Sequence, residues 1–160
     1  MASADNLRTA FIAAACVFMG DEPGSETLGT PERILSAHPE LASSDIHIAA
    51  VLGDSEAVRR FLALDARHAT AKGGPHGWDA LTHLCFSKYL RFDPARSEEF
   101  VRAATALLDA GASASTGFYT SDNQPSPAWE SALYGAAGIA RHVGLSRLLA
   151  GRGYSRQGRP

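Results

Sequence analysis

Cysteine is scarce in this 160-residue chain: Cys16 and Cys85 are the only two. They build no disulfide framework and no C-x-x-C pair, so they read as free thiols used as small apolar side chains. Neither sign of charge is in excess. Fifteen Lys and Arg stand against 17 Asp and Glu, a formal net charge of −2, which excludes a global pull toward nucleic acid or a membrane surface. Long apolar runs are also missing. The run at residues 11–19 falls well short of the roughly 20 residues that span a bilayer. Its leader holds Asp5 as well as Arg8, and Asp21-Glu22-Pro23 stands where a signal peptide would carry its small-residue cleavage site. It reads as a helix of a soluble, cytoplasmic protein.

Catalytic signatures are equally thin. Six His lie at 38, 47, 68, 76, 83 and 142 with no H-E-x-x-H or comparable ligand spacing. His83 and Cys85 are two residues apart, which on a helix points them about 200° from each other and suits no Cys–His nucleophile pair. Residues 73–77, GGPHG, lack the Lys-Ser/Thr of a phosphate loop and read as a hairpin tip. Asp79 reads as a helix cap. No catalytic residue, metal or cofactor is expected.

What the chain does have, at 45% hydrophobic and 20% charged residues, is enough material for one globular or solenoid domain, and a stretch that organises it. Residues 45–62, DIHIAAVLGDSEAVRRFL, read as two short helices back to back. Ile46, Ala49 and Ala50 give the first a small apolar face. Gly53-Asp54 breaks it, and Ala57, Val58, Phe61 and Leu62 place an i, i+3, i+4 stripe on the second. Two Ala on one face let a neighbouring helix approach closely. Positions equivalent to Ile46 fall at Phe11, Leu81 and Leu133, with spacings of 35, 35 and 52 residues.

The pattern resembles the ankyrin repeat, whose T-P-L-H-x-A-A core is followed by a Gly turn and a V-x-x-L-L helix and recurs about every 33 residues. Residues 45–50, DIHIAA, stand where P-L-H-x-A-A would be, and residues 77–85, GWDALTHLC, stand against G-x-T-P-L-H-x-A-A. The resemblance implies an all-α solenoid of stacked helix-turn-helix units with short finger loops. Its domain covers residues 1–154, with units at about 10–44, 45–76, 77–112 and 128–153 and a tail at 155–160. Thr30-Pro31 opens the first outer helix as cap and first residue. Gly111 ends the third with positive φ. Trp129 to Ala137 forms the fourth inner helix. Segments 20–29, 87–97 and 113–127 are longer than the family pattern. His47 takes the position of a His that hydrogen-bonds between neighbouring repeats.

Function then follows from the same resemblance. Ankyrin repeats hold other proteins on a concave face built from finger tips and exposed inner-helix positions. Carried over, those positions are His76 and Trp78 on one finger, Trp129 and Glu130 on the next, and Val51, Leu52, Phe86, Ser87 and Ile139 on inner helices. A non-enzymatic adaptor or inhibitor that binds another protein is the expected function, with no nucleic-acid or membrane partner. The last unit is no more polar than the others, so Tyr134, Ile139, Leu145 and Leu148 suggest a bare end able to form a two-fold dimer contact, or else to fray. Two other readings stand beside it. One is a small-ligand or enzymatic protein with a pocket under the insertions, using His83, Asp79 and Cys85; the other is a truncated member of a longer array.

Overall fold

A computed structural model of the chain describes residues 3–17, 27–120 and 128–155. The fold is mainly helical, with one small two-stranded ribbon. In order it comprises α1 (Ala4–Ala15), α2 (Gly29–Ala37), α3 (Ile46–Leu52), α4 (Ser55–Leu64), α5 (Ala80–Cys85), α6 (Lys88–Phe92) and α7 (Ser97–Asp109). Strands β1 (Gly117–Tyr119) and β2 (Trp129–Ser131), a wide helical turn at Tyr134–Ile139 and α8 (Val143–Gly151) complete it. Helices pair as α1 with α2, α3 with α4, α5 with α7, and the Tyr134–Ile139 turn with α8. Successive pairs are in contact. α1, α3, α5 and the turn form one layer, and α4, α7 and α8 follow one another in a second.

Local chemistry sets the boundaries. Asp45 and Asp79 cap α3 and α5, accepting from the N–H groups of Ile48 at 2.8 Å and Thr82 at 2.9 Å, and Asp54 caps α4 through Ala57. Gly53 ends α3 at φ 66°, and a Cβ there would lie 2.6 Å from the Phe100 ring, so both its left-handed backbone and its missing side chain are used. Gly111 follows α7 with φ 116°, as expected. Ala49 and Ala50 are fully buried between units, the close approach that their small side chains permit.

Several expectations need correction. Thr30 is not a cap: α2 already includes Gly29, follows Leu28 without a side-chain cap, and carries Pro31 in its first turn. The first inner helix begins at Ala4, ahead of the expected unit boundary. The third unit's insertion is itself structured. Ser87 caps α6, and the segment folds back across the end of α3, where Ser87 Oγ donates to Val51 O at 2.5 Å and Arg96 Nη1 to Leu52 O at 3.0 Å. Two carbonyls left open at the helix end are thereby satisfied.

In the fourth unit, residues 129–131 are strand rather than helix. They pair antiparallel with β1 in the register Gly117↔Ser131, Phe118↔Glu130, Tyr119↔Trp129. Helical structure starts at Ala132, directly after the strand, and Ser131 Oγ accepts from Tyr134 N–H as its cap. Gly135 sits where a Cβ would be 2.7 Å from Cys85 O, so this layer packs on α5 through backbone. Of the four residues named for a bare end, Leu145 is fully buried, Ile139 and Leu148 are half-buried and Tyr134 is 42% exposed. The chain after α8 turns back. Arg152 pairs with Asp109 at 2.7 Å, and Ser155 N–H reaches Ser115 Oγ at 2.9 Å. Segments 18–26 and 121–127, which take in most of the expected 20–29 loop and part of the 113–127 loop, and residues 156–160 of the expected tail lie outside the described residues.

Candidate functional site

The contact positions inferred from the family pattern separate into two groups. Val51, Leu52, Phe86, Ser87 and Trp78 were expected to be open and are instead buried, none more than 4% exposed. The cause for Val51 and Leu52 is the insertion that seals the end of α3. Trp78 lies under β1. Its indole stacks on Phe118 at 4.5 Å and meets His83 at 5.4 Å, Phe86 at 5.5 Å and the half-buried His76 at 4.7 Å. Phe86 also meets Phe118 edge-on at 5.2 Å. These residues are core, and the finger aromatic expected to face a partner is instead a keystone between fingers.

Trp129, Glu130 and Ile139 remain half-buried on the ribbon and the turn that follows it. Because opposed residues of a ribbon share a face and neighbours alternate, Phe118 and Glu130 look one way while Tyr119 and Trp129 look the other. Phe118 goes into the core. Tyr119 is 51% exposed, and its ring meets Trp129 edge-to-face at 4.9 Å. Partial burial pushes the Glu130 carboxyl above its ordinary range, with no charge–charge contribution behind the shift. Tyr119 was missed as a surface residue. The available signal was an aromatic pair flanking a polar, proline-containing segment, a hairpin pattern.

The second arrangement is a histidine pair at the junction of the second and third units. His47 Nδ1 and His83 Nδ1 are 3.1 Å apart, so His47 links α3 to α5. Burial pushes both histidines down, His83 to about 3, and repulsion from His47 and His76 adds to the effect at His83. The trio considered for catalysis is not wired together. His83 faces His47, the Asp79 carboxylate accepts from Thr82 N–H and Thr116 Oγ1, and burial pushes the Cys85 thiol up, away from thiolate. Beside His47 an open cleft of about 370 Å³ is lined by Arg8, Ile12, Asp45, Lys72 and Gly73. Another of about 300 Å³ lies next to the insertion, against Leu35, Ala42, Leu52, Arg96 and Glu99. In it, Arg96 is held by Asp93 and Leu52 O, and Glu99 by Ser55 and Arg102.

Among the described residues, no three His, Cys, Asp or Glu side chains are grouped to hold a metal ion, and no helix is long and apolar enough to cross a membrane. Comparison with family models, curated proteins and solved structures gave no match.

Proposed function

We propose that this chain is an ankyrin-like solenoid that binds another protein, and that it does so through the β1–β2 ribbon rather than an inner-face groove. The observation that carries the reading is the Tyr119–Trp129 pair, held on the outer face of a ribbon whose opposite face is anchored in the core by Phe118. Rigid, amphipathic aromatics on a fixed support are the side chains that dominate binding energies. The partner would be basic. Residues 103–140 contain no Lys, Arg or His, yet carry Asp109, Asp122 and Glu130 together with the ribbon aromatics. Asp109 is already paired with Arg152. The exposed Tyr119–Trp129 faces favour a cationic side chain, and Glu130, half-buried on the opposite face of the ribbon, adds to the negative field of the segment. Cys16 and Cys85 are buried and form no disulfide, which fits the reducing cytoplasm expected from the sequence.

Affinity capture from native lysate tests this, comparing the natural protein with Tyr119→Ser/Trp129→Ser and with Glu130→Lys. Loss of hot-spot aromatics should weaken a specific partner by at least about 2 kcal/mol, roughly 30-fold, with unchanged circular dichroism. Glu130→Lys should repel the same partner. Equal capture by all three proteins would overturn the reading.

A further inference from the structure

The histidine pair has a protonation pattern that geometry restricts. A short contact between two Nδ1 atoms holds one hydrogen, so one ring donates and the other accepts. The accepting ring must carry its own hydrogen on Nε2. His83 Nε2 is buried and has no hydrogen-bond partner, whereas His47 Nε2 lies beside Gly73 at the edge of the open cleft. A buried N–H without an acceptor is the costlier defect, so His83 donates from Nδ1 and keeps a bare lone pair on Nε2. That lone pair is pressed against the finger: a Cβ on Gly74 would be 3.0 Å from it, and one on Gly73 would be 2.7 Å from His47 Nε2.

Adding a proton therefore has no quiet place to go. On His83 Nε2 it creates an N–H aimed at the Gly74 backbone. On His47 Nδ1 it sets two N–H groups against each other across 3.1 Å. We propose that the His47–His83 pair and the Gly73-Gly74 finger form a pH-sensitive latch, closed when both rings are neutral and opened when either gains a second proton. The surrounding charges are mixed. At His47, Asp45 and Asp79, the caps of α3 and α5, favour a charged ring and His68 after α4 opposes it; at His83, His47 and His76 on the finger oppose it. Arg8 and Asp5 of α1 and Lys72 of the finger line the adjoining cleft. Burial outweighs the two carboxylates at His47 and the backbone hydrogen bond to Asp79 at His83.

Opening has a defined route outward. The finger is closed by Gly73 N–H donating to Trp78 O at 3.0 Å, and the Trp78 ring lies between His83 and Phe118 of β1. Release of the finger thus loosens the support of the ribbon. The latch itself stands on the histidine geometry and not on the ribbon's proposed partner.

The test follows Trp78 emission from about pH 7.5 to about pH 5, the range in which histidines titrate, in a Trp129→Phe protein that leaves one indole. Amide exchange of residues 73–78 is measured in the natural protein over the same range, corrected for the intrinsic pH dependence. The expected result is a shift in Trp78 emission on acidification and at least about tenfold faster exchange in the finger, while α7 keeps its protection. His83→Gln and His47→Gln, each in the Trp129→Phe background, should flatten the emission response. Finger protection that persists unchanged down to pH 5, or an acid response in both glutamine variants as large as that of the Trp129→Phe parent, would overturn the proposal. The exchange measurement decides the matter even where a variant does not fold.

Discussion

Replacing Trp78 with Ala separates a core residue from a partner-facing one more sharply than any other single change. The indole is 3% exposed and touches four other rings, including a 4.5 Å stack on Phe118. A side chain of this kind buries about 150–250 Å², which at about 25 cal/mol per Å² corresponds to about 4–6 kcal/mol of transfer free energy. Measured Trp→Ala costs in cores, about 3–5 kcal/mol, agree, since partial collapse of the cavity offsets part of the loss. Typical domains are stable by about 5–15 kcal/mol, so the variant would be near the limit of folding. Urea unfolding is the assay. With a slope of about 2 kcal/mol per molar, a 4 kcal/mol loss lowers the midpoint by about 2 M. Trp78→Phe should fall in between, because a smaller ring keeps part of the stack. A Trp78→Ala midpoint within about 0.3 M of the natural protein, less than about 1 kcal/mol on that slope, would refute the placement of this ring in the core.

Three further outcomes follow from the same packing. Ala50→Leu, at a fully buried position between α3 and its neighbours, should overpack and lower stability by about 1–3 kcal/mol by urea midpoint. Gly53→Ala places a Cβ 2.6 Å from the Phe100 ring on a left-handed backbone, and should lose about 2–4 kcal/mol in the same assay. Stability should also fall with acidification. The folded pKa of His83 is depressed from 6.5 to about 3, so below 6.5 the unfolded chain binds a proton that the folded chain refuses. Unfolding midpoints should therefore decline as pH drops from 6.5 toward 3, and His83→Gln should shallow that decline.

Much of the helical frame was legible because its signals are local. Asp79 as a cap, Gly53 as a break, Ala49 and Ala50 as contact residues and Gly111 as a left-handed stop each act within a few residues. His47 was singled out as the residue to bond across to a neighbouring helix pair, and it meets His83 of α5, 36 residues on. The site was another matter. Whether Val51 and Leu52 face solvent depends on Ser87 and Arg96, which return to the α3 carbonyls from about 40 residues later with no periodic signature. Trp78 is covered by Phe118, again about 40 residues on. Residues 129–137 carry apolar positions compatible with a helix. Pairing with Gly117–Tyr119 draws the first three into a strand, and helical structure begins only after them and widens over Tyr134–Ile139, where Gly135 and Gly138 are weak helix formers.

Acrylamide quenching of single-tryptophan proteins tests most directly the claim that the ribbon face is open and the inner face closed. With Trp129→Phe only Trp78 emits, and with Trp78→Phe only Trp129 does. The account predicts blue-shifted, weakly quenched emission from Trp78 and red-shifted emission from Trp129, quenched several-fold more efficiently. Equal quenching of the two indoles, or a Trp78 more accessible than Trp129, would contradict it.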